Sequence, residues 1–160
     1  MLELNRISAG YGKQTVLDGI SVDFEKGKLT SIIGVNGCGK STLLKAILGI
    51  LSLSNGEIFI DGENLLTISR NEIAKKIAYL SQGKNIPDMT VEQMVLHGRF
   101  PYLSYPRRYS SHDREVAIKA MEIVGVAEFA HKPLYSLSGG MRQNAYIAMA
   151  LAQDTDYILL

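Results

Sequence analysis

Gly34, Gly39, Lys40 and Ser41 fall in the order glycine, four residues, glycine, lysine, hydroxyl inside "GVNGCGKST", Gly34–Thr42. That combination suits the holding of a phosphate chain. Backbone N–H groups must turn inward around the anion, and glycines at Gly34, Gly37 and Gly39 permit the angles and the close approach. The N-terminus of a following helix adds a positive field. Lys40 can reach terminal phosphate oxygens, and the Ser41 hydroxyl, beside Thr42, can ligate a divalent cation. At ordinary composition these four residue types coincide at this spacing about once in tens of thousands of positions. The plain alternative is a glycine turn between a strand and a helix. Cys38 in the same loop is either a neutral filler or a thiol whose acidity the loop amides raise.

A second group, Leu137-Ser138-Gly139-Gly140, opens "LSGGMRQ". Ser138 can cap a helix, and Gly139 and Gly140 leave its first amides uncovered, again suiting an anion. Alone, the group would read as a simple N-cap.

These residues need elements to hold them. "LELNRIS" and "SVDFE" alternate apolar and polar residues and predict half-buried strands of an antiparallel sheet. "LTSIIG" is continuously apolar and predicts a buried strand leading into the glycine loop. "KSTLLKAILG" then places Leu43, Leu44, Ile47 and Leu48 on one helical face, with Gly49 as its stop. "GEIFIDG" predicts a strand running into an Asp-Gly turn. "SRNE" and "TVEQ" have capping-box spacing and predict helix starts on either side of a strand at "IAYLSQ". Arg99–Ser111 reads as a loop, "HDREVAIKAMEIVG" as an amphipathic helix, Gly139–Ala152 as a half-apolar buried helix, and "YILL" as the start of a buried strand. The order predicts a three-layer α/β core with an N-terminal antiparallel region and a helical insertion at about 83–135.

Composition bounds what such a chain does. With 160 residues there is enough chain for one domain. A net charge of +1 gives no bulk electrostatic case for nucleic acid, and Arg107-Arg108 reads as a solvated pair. The single cysteine excludes an internal disulfide and fits a reducing compartment. The N-terminus lacks a secretory pattern. The longest apolar run, Ala145–Ala152, is far short of the roughly 18 residues of a membrane span. A membrane role must come through a partner.

With both glycine groups in place, the chain resembles the ATPase domain of the ATP-binding-cassette (ABC) family across essentially all of 1–160. "GVNGCGKST" is similar to the family's Walker A, "LSGGMRQ" to its signature, and "AYLSQ" to its Q-loop, with Gln82 in place. Tyr11 matches the aromatic that stacks on adenine. The resemblance implies a P-loop NTPase fold with ATP and Mg²⁺ as ligands. Tyr11, Gly34, Asn36, Gly37, Cys38, Gly39, Lys40, Ser41 and Thr42 would bind nucleotide. Ser41 and Gln82 would hold Mg²⁺, with Lys40 and Gln82 in the catalytic set. Taken alone, Gln82 is a polar residue at a strand end.

The resemblance also implies partners. A second ATPase subunit would pair head to tail, so that its Ser138, Gly139 and Gly140 close over the first subunit's ATP. Membrane permease subunits would dock through the Q-loop and helical subdomain, at the cytoplasmic face, with an external binding protein engaged indirectly. Nucleic acid is not an expected partner. "VLHGRFPYLS", with Gly98, Arg99 and Pro101, is similar to importers of iron-siderophore, haem and cobalamin type. The family's aspartate, glutamate and switch histidine would follow "YILL", beyond Leu160, so the expectation is a C-terminally incomplete domain that binds nucleotide and hydrolyses little. His97, His112 and His131 all precede that strand and match no switch residue. Competing readings are a short non-hydrolysing binding module and a soluble ABC ATPase outside transport.

Overall fold

A computed structural model describes residues 1–80 and 86–160 and divides them into two compact units, Met1–Ile77 and Ala78–Leu160. The first unit is built on β1 (Leu2–Tyr11), β2 (Gln14–Phe24), β3 (Leu53–Ile60) and β4 (Glu63–Asn64). They form one antiparallel sheet in the order β2-β1-β3-β4, as the alternating pattern predicts. Leu2 and Leu4 point into the core, and then the register shifts. Arg6 adopts φ 45°, after which Ile7, Ser8 and Ala9 are buried in succession. This is a bulge, and Gly56 lies against it: a Cβ there would stand 2.3 Å from the Arg6 carbonyl oxygen. Asp61 and Gly62, at φ 53° and 81°, turn β3 back into β4.

Two α-helices belong to this unit. α1 (Lys40–Ile47) buries Thr42, Leu43, Ala46 and Ile47. Gly49, at φ 65°, ends it by donating its N–H to the Ala46 carbonyl. α2 (Arg70–Lys76) starts at Ser69, whose Oγ accepts the Glu72 N–H at 3.2 Å. Leu2, Leu4, Ile47, Ile58, Ile60 and Ile73 are each at most 5% exposed. Burying each stabilises the unit by roughly 1.5–3 kcal/mol, so this apolar set holds it together.

"LTSIIG" departs from expectation. Residues 25–38 are exposed throughout and 28–35 carry no regular structure. Leu29 is 96% exposed and Ile33 92%. A continuous apolar run marks a buried strand only where neighbours pair its backbone and cover both faces. Among the described residues no strand lies beside it.

The second unit packs α3 (Val91–Leu96), α4 (Ser111–Ile123) and α5 (Gly139–Ala152) around one core that includes Val91, Val95, Ala117, Met121, Leu134, Ala145 and Ala148. α3 and α4 open with complete capping boxes, Thr90 with Gln93 and Ser110 with Asp113. The alanines of α5 let neighbouring helices approach closely. β5 (Ile77–Tyr79) and β6 (Tyr157–Leu159) pair as a two-stranded sheet, and Leu80 N–H donates to the Leu159 carbonyl at 2.9 Å. "YILL" is thus a strand, but only half buried, with Tyr157 inside and Ile158 and Leu160 exposed. The expected loop at 99–111 is also corrected at its start. His97–Tyr102 is a short 3₁₀ helix, and its Arg99 is buried because it finds a carboxylate and a carbonyl inside.

Candidate functional site

The glycine loop is shaped by its own lysine. Lys40 Nζ turns back and donates to the carbonyls of Gly34 at 2.7 Å and Val35 at 2.9 Å, with Cys38 Sγ at 3.8 Å. Cys38 N–H donates to the Val35 carbonyl at 3.3 Å, closing a turn within the ring. Gly37 and Gly39 take φ 83° and 100°, which L side chains rarely adopt. Gly39 is also pressed against β2: a Cβ would stand 3.2 Å from both Val16 Cγ1 and Leu17 Cδ2. That contact seats the loop on the sheet.

This geometry suits an anion. Gly39 is the N-cap of α1 and has no side chain with which to bond the first-turn N–H groups. No acidic residue sits in that turn. The amides and the Lys40 ammonium therefore face the loop without a competing negative charge. Asn36 and Ser41 are exposed there and Thr42 is buried beneath. Among the described residues no group of three His, Cys, Asp or Glu side chains forms a metal site. The exposed Ser41 hydroxyl fits a divalent cation that arrives with phosphate oxygens among its ligands.

Tyr11 ends β1 and is 48% exposed. Lys45 Nζ donates to its hydroxyl at 3.3 Å and lies 5.6 Å from the ring centroid. The hydrogen bond from Lys45, and another with Thr42, hold the phenol below its usual pKa. Lys45 was not singled out from sequence. The available signal was its place one turn beyond Ser41 on the same face of α1.

The second glycine group opens α5. Ser138 Oγ accepts the Met141 N–H at 3.3 Å, so the predicted cap is present. Ser138, Gly139 and Gly140 are all exposed, and a Cβ on either glycine would meet nothing within 4 Å. No internal packing demands glycine at these two positions. The first turn of α5 is therefore open to solvent on this side. Leu137, 7% exposed, anchors the turn.

The loop residues come together in the first unit, and the Ser138 group stands in the second. Gln82 lies outside the described residues. The three histidines are exposed: His97 Nδ1 bonds the Gln93 carbonyl at 2.8 Å, and His131 Nδ1 is 3.4 Å from Glu92.

Comparison with known proteins gives a consistent result. The sequence pattern of the family described as "ABC transporter" matches residues 17–160. The petrobactin import ATP-binding protein FpuD of Bacillus anthracis is 41% identical over 99% of the chain and 59% of its own length. The ferric enterobactin transport ATP-binding protein FepC of Escherichia coli is 40% identical over 97% of the chain and 58% of its own length. Among solved structures, the ADP conformation of MJ1267, an ATP-binding cassette of an ABC transporter, superposes with a TM-score of 0.86 at 26% identity, covering 99% of the chain and 66% of that one. The chain thus spans about 59% of the FpuD sequence.

Proposed function

Given that the chain belongs to the ABC transporter family, we propose that it is the ATP-binding part of a subunit that drives uptake of an iron chelate. The observation that carries the reading is the Lys40 cradle, in which the Gly34 and Val35 carbonyls hold the ammonium beside the uncapped N-terminus of α1. The likeness to petrobactin and enterobactin import proteins supports the cargo class. Bound Mg²⁺ would neutralise phosphate charge and polarise the terminal phosphoryl group.

The roles of the residues follow from position. Tyr11 offers a ring face to the adenine. Lys40 leaves the Gly34 and Val35 carbonyls for the β- and γ-phosphates, and the first-turn amides of α1 hold the chain in line. Ser41, with Gln82, orients the cation. Ser138, Gly139 and Gly140 serve a second subunit's nucleotide, completing a site that neither subunit closes alone. Residues 83–135 act as the helical subdomain that meets the permease at the cytoplasmic face of the membrane.

Calorimetric titration of the chain with Mg-ATP tests the binding step. Lys40→Met should weaken binding by about 10- to 100-fold, the worth of one charge-assisted hydrogen bond. Unchanged affinity would refute the cradle as the site. Uptake of labelled ferric siderophore, lost on deletion of the gene and restored by it, tests the cargo; normal uptake after deletion would refute it.

A further inference from the structure

Arg99 is 4% exposed and lies in the turn between α3 and α4. Its Nε donates to Asp113 Oδ1 at 3.0 Å, and its Nη1 donates to the Ala152 carbonyl at 3.0 Å. The guanidinium carbon is 3.9 Å from the centroid of the Tyr102 ring. Asp113 is itself fixed, because its Oδ2 accepts the Ser110 N–H at 2.9 Å and the Ser110 hydroxyl at 2.7 Å. The Tyr102 hydroxyl donates to the Gln153 carbonyl at 2.9 Å. Gly98 completes the contact: a Cβ there would stand 2.2 Å from the Met149 carbonyl oxygen. Gly98, Arg99 and Tyr102 therefore all meet the last turn of α5.

A buried charge is costly to desolvate, and an apolar contact would hold two helices together as well or better. What a guanidinium adds is direction. Its planar fork fixes two acceptors at once, where side-chain packing would let a helix slide or roll. One acceptor is the capping aspartate of α4 and the other is the end of α5. The far end of α5 carries Ser138, Gly139 and Gly140. A helix of 14 residues is about 21 Å long, so a swing of about 5° at the clamp displaces Ser138 by about 2 Å. Displacements of that size are enough to spoil a phosphate contact.

We infer that Arg99, assisted by Gly98 and Tyr102, is a positioning residue that fixes the C-terminal end of α5 and thereby aims Ser138 at the other. The aim has meaning only on the proposed reading of Ser138 as a phosphate contact for a second subunit. The fixing of α5 does not depend on that reading.

The test compares wild type, Arg99→Met, Arg99→Lys and Tyr102→Phe in the 160-residue chain. Three quantities are read: ATP affinity, ATP-driven self-association by sedimentation, and amide hydrogen exchange along α3, α4 and α5. Arg99→Met should keep the ATP affinity of the loop and weaken self-association about tenfold, the worth of a hydrogen bond to a charged group. Exchange should quicken at 150–153 and stay unchanged in α3. Arg99→Lys, with one donor centre for two acceptors, should recover part of the loss. Wild-type self-association and exchange in Arg99→Met would overturn the inference, as would exchange quickened equally through all three helices. If Arg99→Met does not fold, Tyr102→Phe decides by the same criteria. If the wild-type chain binds ATP without associating, the pairing reading fails, and exchange at 150–153 alone decides whether Arg99 fixes the helix.

Discussion

Tyr11 and Lys45 illustrate how much one hydrogen bond can report. The Lys45 ammonium and Thr42 hold the Tyr11 phenol below its usual pKa. Lys45→Met should therefore move that titration upward. Ultraviolet difference titration against Tyr11→Phe, which removes only this hydroxyl, isolates it from the other tyrosines. An unmoved titration would mean that the two side chains do not meet in solution. At Gly98 the expectation is steric. Gly98→Ala must displace the Met149 carbonyl, and overpacking of this kind costs about 1–3 kcal/mol, readable by urea unfolding. A neutral effect would show that the approach is looser than drawn. Gly34, Gly39, Lys40 and Ser41 were legible in the sequence because their spacing is covalent. Arg99 stood out only as part of the Gly98-Arg99-x-Pro101 segment; its buried bridge was not legible, since its acceptors, Asp113 and the Ala152 carbonyl, are 14 and 53 residues away.

At the scale of elements, the ends of helices were the most legible feature. Ser69 and Thr90 each cap the helix that their spacing predicts, and Ser138 caps α5 as its hydroxyl before two glycines suggests. Caps are local, so sequence suffices to place them. Ser138→Ala should lower the stability of the second unit by about 1 kcal/mol, measured by thermal unfolding. Asp113 links α4 to pH. Burial pushes its carboxyl up, but the Ser110 hydrogen bonds and Arg99 outweigh this and hold it below the usual carboxylate range. A group lowered on folding stabilises above its unfolded pKa, near 4, and loses that contribution as pH falls through the folded value. Acid unfolding of wild type should therefore steepen below about pH 4, and Asp113→Asn should be less stable at neutral pH with a flatter acid limb. Parallel acid limbs in the two proteins would refute the assignment.

For the molecule as a whole, the antiparallel sheet and the helices were legible because alternation and capping are written locally. The fate of "LTSIIG" was not. An apolar hexamer states a preference for burial and says nothing of which strands will cover it. The segment bears directly on handling the protein. Residues 25–38 are exposed, 28–35 are irregular, and Lys28 there pairs with exposed Glu25. A protease needs an extended, accessible backbone, so limited trypsin digestion should nick the chain first after Lys28. The cut falls six residues before the loop that begins at Gly34, close enough for an occupied cradle to shield it. Mg-ATP should then slow the appearance of the fragment ending at Lys28, and the gel becomes a label-free gauge of whether the loop is filled.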